Sequence, residues 1–402
     1  MLISPSLLHV KTRSSRNRQE PAVHLRAVGV TEGFNLDGMT AQQVLARLDV
    51  PVSQQGAEVI EWQCIRSDHA AMAEAGEWAD LLDALAFADQ DRTMASGGQR
   101  VAPLISEGIR AGLCDAITRK DMAAAGAELV RLEAVFELYP DVYAAAHLLA
   151  QAHIDIGCCK REVATRGQLS RDLLAESAAH FDAAEELLDL FDPIEEMSPL
   201  LAGTRYLLVR GIEDGAALCR DWFEDWCDID PEDATVHATH AVHMLPDWFG
   251  SLAIFEKEAR RAASITEHLT GKAAYAIFHL TARDRLGDML PSLDLLLFLQ
   301  ALTDYQNATG CQHRANIAAS VLSEMVRDYK KAGPTSAYQV TKARAALSDV
   351  LWNRLHEVHL ESWAHGADSL AFALGEIFGP ALKRGARIIP KGEGLGTRVP
   401  RG

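Results

Sequence analysis

From about residue 67 to residue 379 apolar side chains recur at intervals of three and four, and strand-like alternation bounded by turn residues is scarce. Val142, Ala145, Leu149, Ala152 and Ile156 fall on one stripe of a helix, with Asp141, Gln151 and Asp155 off it. Cys219, Trp222, Phe223 and Trp226 share another, with Asp221, Glu224, Asp225 and Asp228 largely outside it. Leu252, Phe255, Ala259 and Ala262 repeat the pattern, as do Ile317, Val321, Met325 and Tyr329. Local chemistry supplies the boundaries. Asp192-Pro193-Ile194-Glu195, Asp230-Pro231-Glu232-Asp233 and Ser198-Pro199 each offer a capping side chain followed by a proline suited to a first turn. Gly157, Gly211, Gly287, Gly310 and Gly333 are placed to interrupt or end helices. Together these signals predict helices near 68–92, 100–119, 121–138, 141–156, 171–190, 198–210, 212–229, 232–245, 251–268, 271–286, 290–307, 311–331, 336–361 and 363–378.

Helices with Ala-rich faces and short links imply an all-α fold of stacked antiparallel hairpins, either an α-solenoid or a compact helical array. The division that follows is an N-terminal segment 1–66, partly disordered with a basic start, a helical-repeat domain 67–379, and a flexible basic tail 380–402. Two segments are alike: Leu132 to Pro140 and Phe223 to Pro231 both place large apolar residues eight, five and two positions before a proline that opens the next helix. This resembles the end of a tetratricopeptide repeat, which implies a hairpin-repeat fold that grips other polypeptides. The stretch Leu245-Pro246-Asp247-Trp248-Phe249-Gly250-Ser251 is also similar to an uncharacterised bacterial domain family with a Pro-x-Trp-x-Gly-Ser turn. In that turn Pro246 stops a helix, Trp248 plugs the gap between helices, Gly250 supplies backbone freedom and Ser251 caps the next helix.

Composition fits a globular chain: of 402 residues 48% are hydrophobic, 24% charged and 6% aromatic. Charge changes the picture more. Lys11, Arg13, Arg16, Arg18 and Arg26 against Glu20 make the start basic, and Lys383, Arg384, Arg387, Lys391, Arg398 and Arg401 against Glu393 make the end basic. The formal −17 of the chain therefore becomes −26 over residues 31–379. So acidic a body repels nucleic-acid phosphates and anionic membrane surfaces, which argues against either as a partner. Seven cysteines in odd number, without Cys-x-x-Cys, read as reduced thiols in a cytoplasm, and Cys158–Cys159 as an ordinary helix end. Met1–Val10 precedes its basic cluster, the reverse of a secretory signal, and Met39 is an alternative start.

The densest candidate chemistry is His237-Ala238-Thr239-His240-Ala241-Val242-His243, where steps of three spread three imidazoles over an arc of about 120° on one helix. Such an arc suits histidines in a helix interface or facing a groove. With carboxylates from neighbouring helices it would suit a metal-dependent enzyme. Between Asp221 and Asp233 seven of thirteen residues are acidic, interleaved with Trp222, Phe223 and Trp226, so Trp222, Trp226 and Asp225 are candidates for receiving a basic peptide. His356-Glu357-Val358-His359, with Glu361 and His365, reads as the polar side of a long helix, and Gly392-x-Gly394-x-Gly396 as part of the tail. No Walker loop or Gly-x-Ser-x-Gly elbow occurs, and no cofactor is implied. The expectation is a non-catalytic module that binds a protein or peptide, preferably basic, with self-association possible through the terminal hairpins; the alternative is the metal-dependent enzyme.

Overall fold

The computed structural model describes residues 35–36, 39–166 and 170–399; the expected basic start at 11–26 lies outside them. The fold is an all-α helical array. Its helices are α1 (Ala41–Leu45), α2 (Ala57–Ala75), α3 (Trp78–Gln90), α4 (Val101–Ile109), α5 (Ala111–Thr118), α6 (Met122–Leu138), α7 (Tyr143–Arg166), α8 (Arg171–Leu188), α9 (Pro199–Leu207) and α10 (Gly215–Ile229). They continue as α11 (Ala234–His243), α12 (Leu252–Ile265), α13 (Glu267–Thr270), α14 (Ala273–Leu286), α15 (Leu295–Asn307), α16 (Gln312–Lys331), α17 (Ala337–Asn353) and α18 (Ala367–Lys383). Three two-stranded sheets complete the described residues: β1 (Asn35–Leu36) with β2 (Met39–Thr40), β3 (Val52–Ser53) with β4 (Val358–His359), and β5 (Arg387–Lys391) with β6 (Gly394–Arg398).

Several predicted caps form as written. The Ser198 hydroxyl accepts the Leu201 N–H at 3.0 Å, and the Ser251 hydroxyl accepts the Ile254 N–H at 3.2 Å. The two Asp-Pro sites behave differently. Asp192 accepts the Ile194 and Glu195 N–H groups at 2.7 and 3.1 Å and caps a turn, and Asp233 rather than Asp230 caps α11, through the Thr235 N–H at 2.9 Å. Gly157 does not end a helix but lies inside α7, where its carbonyl accepts the Ser177 hydroxyl at 2.8 Å and a Cβ would press on Phe181. Gly250 is needed for closeness rather than for freedom: a Cβ there would strike the Met244 carbonyl.

The chain ends depart most from expectation. The boundary near residue 66 falls inside α2, and residues 41–52 pack into the same core as residues 202–395, through Val44, Leu45, Leu48 and Val52. The segment 336–361 is not one helix. After α17 the backbone turns extended, because the Gln312 carboxamide oxygen accepts the His356 N–H at 2.9 Å and the Asn316 oxygen accepts the His359 N–H at 3.0 Å, so side chains replace the helical acceptors. Residues 380–402 are not simply a flexible tail: α18 runs to Lys383 and residues 387–398 form an antiparallel hairpin whose Ile388 and Leu395 are wholly buried. The hairpin turns at Gly392, at φ +63°. Gly394 is forced, since a Cβ would meet the Trp352 carbonyl.

These departures share one result, which is that the array closes on itself. β3 pairs in parallel with β4, the Val358 N–H reaching the Pro51 carbonyl at 2.9 Å and the Glu361 N–H the Gln54 carbonyl at 3.0 Å. Arg47 and Asp49 exchange backbone hydrogen bonds with Ile388 at 2.9 and 2.8 Å. The Glu58 carboxylate accepts the His313 N–H at 3.1 Å, fixing the start of α2 to the start of α16.

The core has two halves, one built from α2 to α9 and the other from α9 to β6 with α1 and β3, and the half-buried Trp222 touches both. Polar braces run between helices inside it. The Thr204 hydroxyl donates to the Leu200 carbonyl at 2.9 Å, so it accepts from His147 Nδ1 at 2.8 Å and leaves Nε2 to accept the Ser106 hydroxyl at 2.8 Å. This ties α4, α7 and α9 together. Arg100 of the segment before α4 grips Asp230, beyond α10, by two hydrogen bonds of 2.8 and 2.5 Å, both side chains being buried. Removing one partner of such a pair strands the other charge, so Asp230→Ala is expected to lower unfolding stability by about 3–5 kcal/mol, whereas Arg100→Met with Asp230→Leu recovers most of the loss. Urea denaturation of the three proteins checks this.

Candidate functional site

The three clustered imidazoles do not converge. All three are buried in α11 and each turns to a different partner. His237 Nε2 donates to the Pro231 carbonyl at 3.0 Å. The His240 ring stacks on Phe223 with centroids 3.9 Å apart, its Nδ1 lying 2.7 Å from the Tyr206 hydroxyl and its Nε2 3.8 Å from Glu258. His243 Nε2 accepts from Arg210 at 2.9 Å, beside Trp248. Among the described residues no group of three or more His, Cys, Asp or Glu side chains is placed to hold a metal ion. A helix flanked by packed helices on all sides explains this, because an arc of 120° then faces three neighbours instead of one open centre.

The expected aromatic, acidic groove on α10 is divided by the same geometry. Trp226 is buried, its ring against Gly203 and Tyr206, while Trp222 is half-buried between the core halves. Asp225 faces solvent with Asp221 and Asp228. Burial, followed by the like charges of Asp228 and Asp221, raises the Asp225 carboxyl above its ordinary range. Trp226 therefore turns inward, lining an interior cavity with Asp230 and Asp233, while Asp221, Asp225 and Asp228 face solvent. In the second histidine group His359 is a buried residue of β4, its Nε2 2.9 Å from Glu357, while the His365 side chain stands exposed at the rim of a groove.

That groove has a volume of about 900 Å³ and lies between α14, the 287–293 segment, α16 and the 361–365 turn. Its floor is Leu280, Leu290, Ile317, Val321 and Met325, which includes three of the four residues read from the sequence as the α16 stripe, and Tyr329 lines it too. Asp284, Asp288, Glu324, Asp328 and Glu361 stand on its walls against Arg283, Arg327 and Lys331. Most of the cations are already engaged. Arg283 pairs with Glu324 and Asp284, Lys331 with Asp328 at 3.1 Å, and Arg327 lies over the Phe372 ring at 4.8 Å. Asp288 and Glu361 have no cationic partner among the described residues, which leaves the rim acidic. Spacing along α16 exposed the stripe to sequence reading, but nothing local marked residues 284–291 and 361–365 as its opposite walls.

Comparison with protein-family models, with curated proteins and with solved structures returned no match.

The buried histidines make the fold sensitive to acid. Burial depresses His237 to about 4, although the Pro231 carbonyl favours its charged form, and burial also lowers His240 and His243. Groups that are protonated near pH 6.5 when unfolded but stay neutral when folded contribute stability above pH 6.5 that is lost as pH falls toward 4. The urea midpoint is expected to drop between pH 7 and pH 5, and His243→Phe to flatten that drop.

Proposed function

We propose that this chain is a non-catalytic docking protein that receives a basic, amphipathic helical segment of another polypeptide in the groove between α14 and α16. One observation carries the reading: an apolar floor supplied by Leu280, Ile317, Val321 and Met325 lies beneath a rim on which the Asp288 and Glu361 carboxylates have no cationic partner among the described residues. Apolar side chains spaced three and four apart fit such a floor, and lysine or arginine on the flanks of the same helix meets the rim carboxylates. The surplus of negative charge over residues 31–379 works in the same direction over longer range, speeding encounter with a cationic partner. Resemblance of the Leu132–Pro140 and Phe223–Pro231 segments to tetratricopeptide repeat ends supports a binding role. The partner meets this protein in the cytoplasm in this reading, which suits seven free cysteines, two of them buried, and described helices of which none is long and apolar enough to cross a membrane.

Panning a phage-displayed peptide library on the full chain is expected to enrich sequences with apolar residues at three- and four-residue spacing and several lysines or arginines. Their affinity is expected to weaken by roughly tenfold, about 1.4 kcal/mol, on Asp288→Lys with Glu361→Lys, and to fall between 0.1 and 0.5 M salt. Selected peptides that bind the charge-reversed protein equally well, or that are insensitive to salt, sink the groove reading.

A further inference from the structure

The basic, amphipathic segment that suits the α14–α16 groove has a match within the chain itself. Residues 2–18 lie outside the described residues, and their sequence is Leu-Ile-Ser-Pro-Ser-Leu-Leu-His-Val-Lys-Thr-Arg-Ser-Ser-Arg-Asn-Arg. Ile3, Leu7 and Val10 are spaced four and three apart, the interval that an apolar floor accepts from one helix. At about 3.6 residues per turn Lys11 falls about 80° to one side of that stripe and Arg13 about 80° to the other, with Arg18 on the same flank as Lys11. Pro5 comes early enough to belong to a first turn, where proline is tolerated. Lys11, Arg13, Arg16 and Arg18 meet no acid before Glu20.

The groove has the complementary arrangement. Ile317, Val321 and Met325 run along its floor at a four-residue interval, with Asp288 on one wall and Glu361 on the wall opposite. An apolar stripe with a cation on either flank sets each cation against one of the two carboxylates that have no cationic partner among the described residues. Position allows the match. β1, the first described element, packs against α18, and α18 begins at Ala367, two residues after His365 on the groove rim. The 17 residues of α18 span about 25 Å. The stretch from Arg18 to Asn35 reaches up to about 55 Å when extended, so it covers that distance from any point on α18.

We propose that residues 2–18 dock in the α14–α16 groove of their own chain and compete there with the partner, an inference that rests on the groove reading. Ile3, Leu7 and Val10 lie on the floor, and Lys11 and Arg13 meet Asp288 and Glu361. A tether of this length supplies an effective concentration on the order of 1 mM, so a segment whose own Kd is about 0.1 mM holds a competing ligand back roughly tenfold. A second copy offers the same segment only at its bulk concentration, which favours the tethered one below about 1 mM protein.

The experiment uses the full chain, a zero-length carbodiimide cross-linker that joins an amine to a carboxylate as an amide, and a synthetic peptide of residues 2–18. Cross-linked monomer is expected to contain Lys11 joined to Asp288 or Glu361, read by peptide mass spectrometry. The full chain carrying Lys11→Glu, Arg13→Glu and Arg18→Glu is expected to bind the synthetic peptide about tenfold tighter than the unaltered chain does, and to lose that binding when Asp288→Lys and Glu361→Lys are added. Leu7→Ser leaves the cations in place and is expected to tighten peptide binding in the same direction, so it decides the matter should the triple variant fail to fold. Absence of the intrachain cross-link, equal peptide affinity of altered and unaltered chains, or a Lys11 cross-link found only between two chains overturns the proposal. Library-selected peptides that still bind the unaltered chain and respond to Asp288→Lys with Glu361→Lys then leave the groove reading standing, whereas failure of those peptides and of the 2–18 peptide on the triple variant removes both.

Discussion

Closure of the chain on itself is the constraint on which the rest of this structure depends. A row of helix hairpins buries each inner face on its neighbours but leaves the two end hairpins with one apolar face apiece. Here those faces cover each other: Val44, Leu45, Leu48 and Val52 from the beginning share a core with Ile388 and Leu395 from the end. Each fully buried side chain of this size contributes roughly 1.5–3 kcal/mol, and the β3–β4 and Arg47–Ile388–Asp49 backbone bonds fix the register in which that burial occurs. The groove between α14 and α16 is in turn walled by the 361–365 turn, which β4 holds in place.

Polar contacts brace the helices inside the closed array, and one of them, Arg100–Asp230, joins the first core half to the second. Arg100–Asp230, Arg110–Asp155 and the Ser106–His147–Thr204 chain cross between helices where an apolar contact would be simpler. Buried ion pairs seldom add net stability over well-packed hydrocarbon. Their effect here is positional, since each fixes one angle between helices and together they keep open a cavity that leucines would have filled.

Much of the architecture was legible along the chain. The stripes through Val142–Ile156 and Ile317–Tyr329 are helical faces, and Ser198 and Ser251 are caps, because those signals act within one or two turns. What sequence reading missed is set by distant partners. Residues 354–362 leave the helix because Gln312 and Asn316 capture their N–H groups, and nothing local announces it. The hairpin at 387–398 carried its own signal in Ile388, Leu395 and the intervening glycines, but basic composition suggested a loose tail. The histidines of α11 were found and their roles were not, since an arc on a helix does not say whether one neighbour or three will face it. Asp230 was read as the cap of α11, but Arg100 takes its carboxylate and Asp233 caps the helix instead.

Pairing residue 52 with residue 358 also has a meaning in time. A ribosome makes the partner of β3 only after α2 to α17 have emerged, so Val44, Leu45 and Val52 wait uncovered until residue 358 has been made. Such late, long-range contacts slow folding and prolong exposure to aggregation. The same proximity makes the ends interchangeable: a chain whose residues near 40 and near 398 were joined by a linker, and opened at a surface loop, would have its last contact to form somewhere else in the ring.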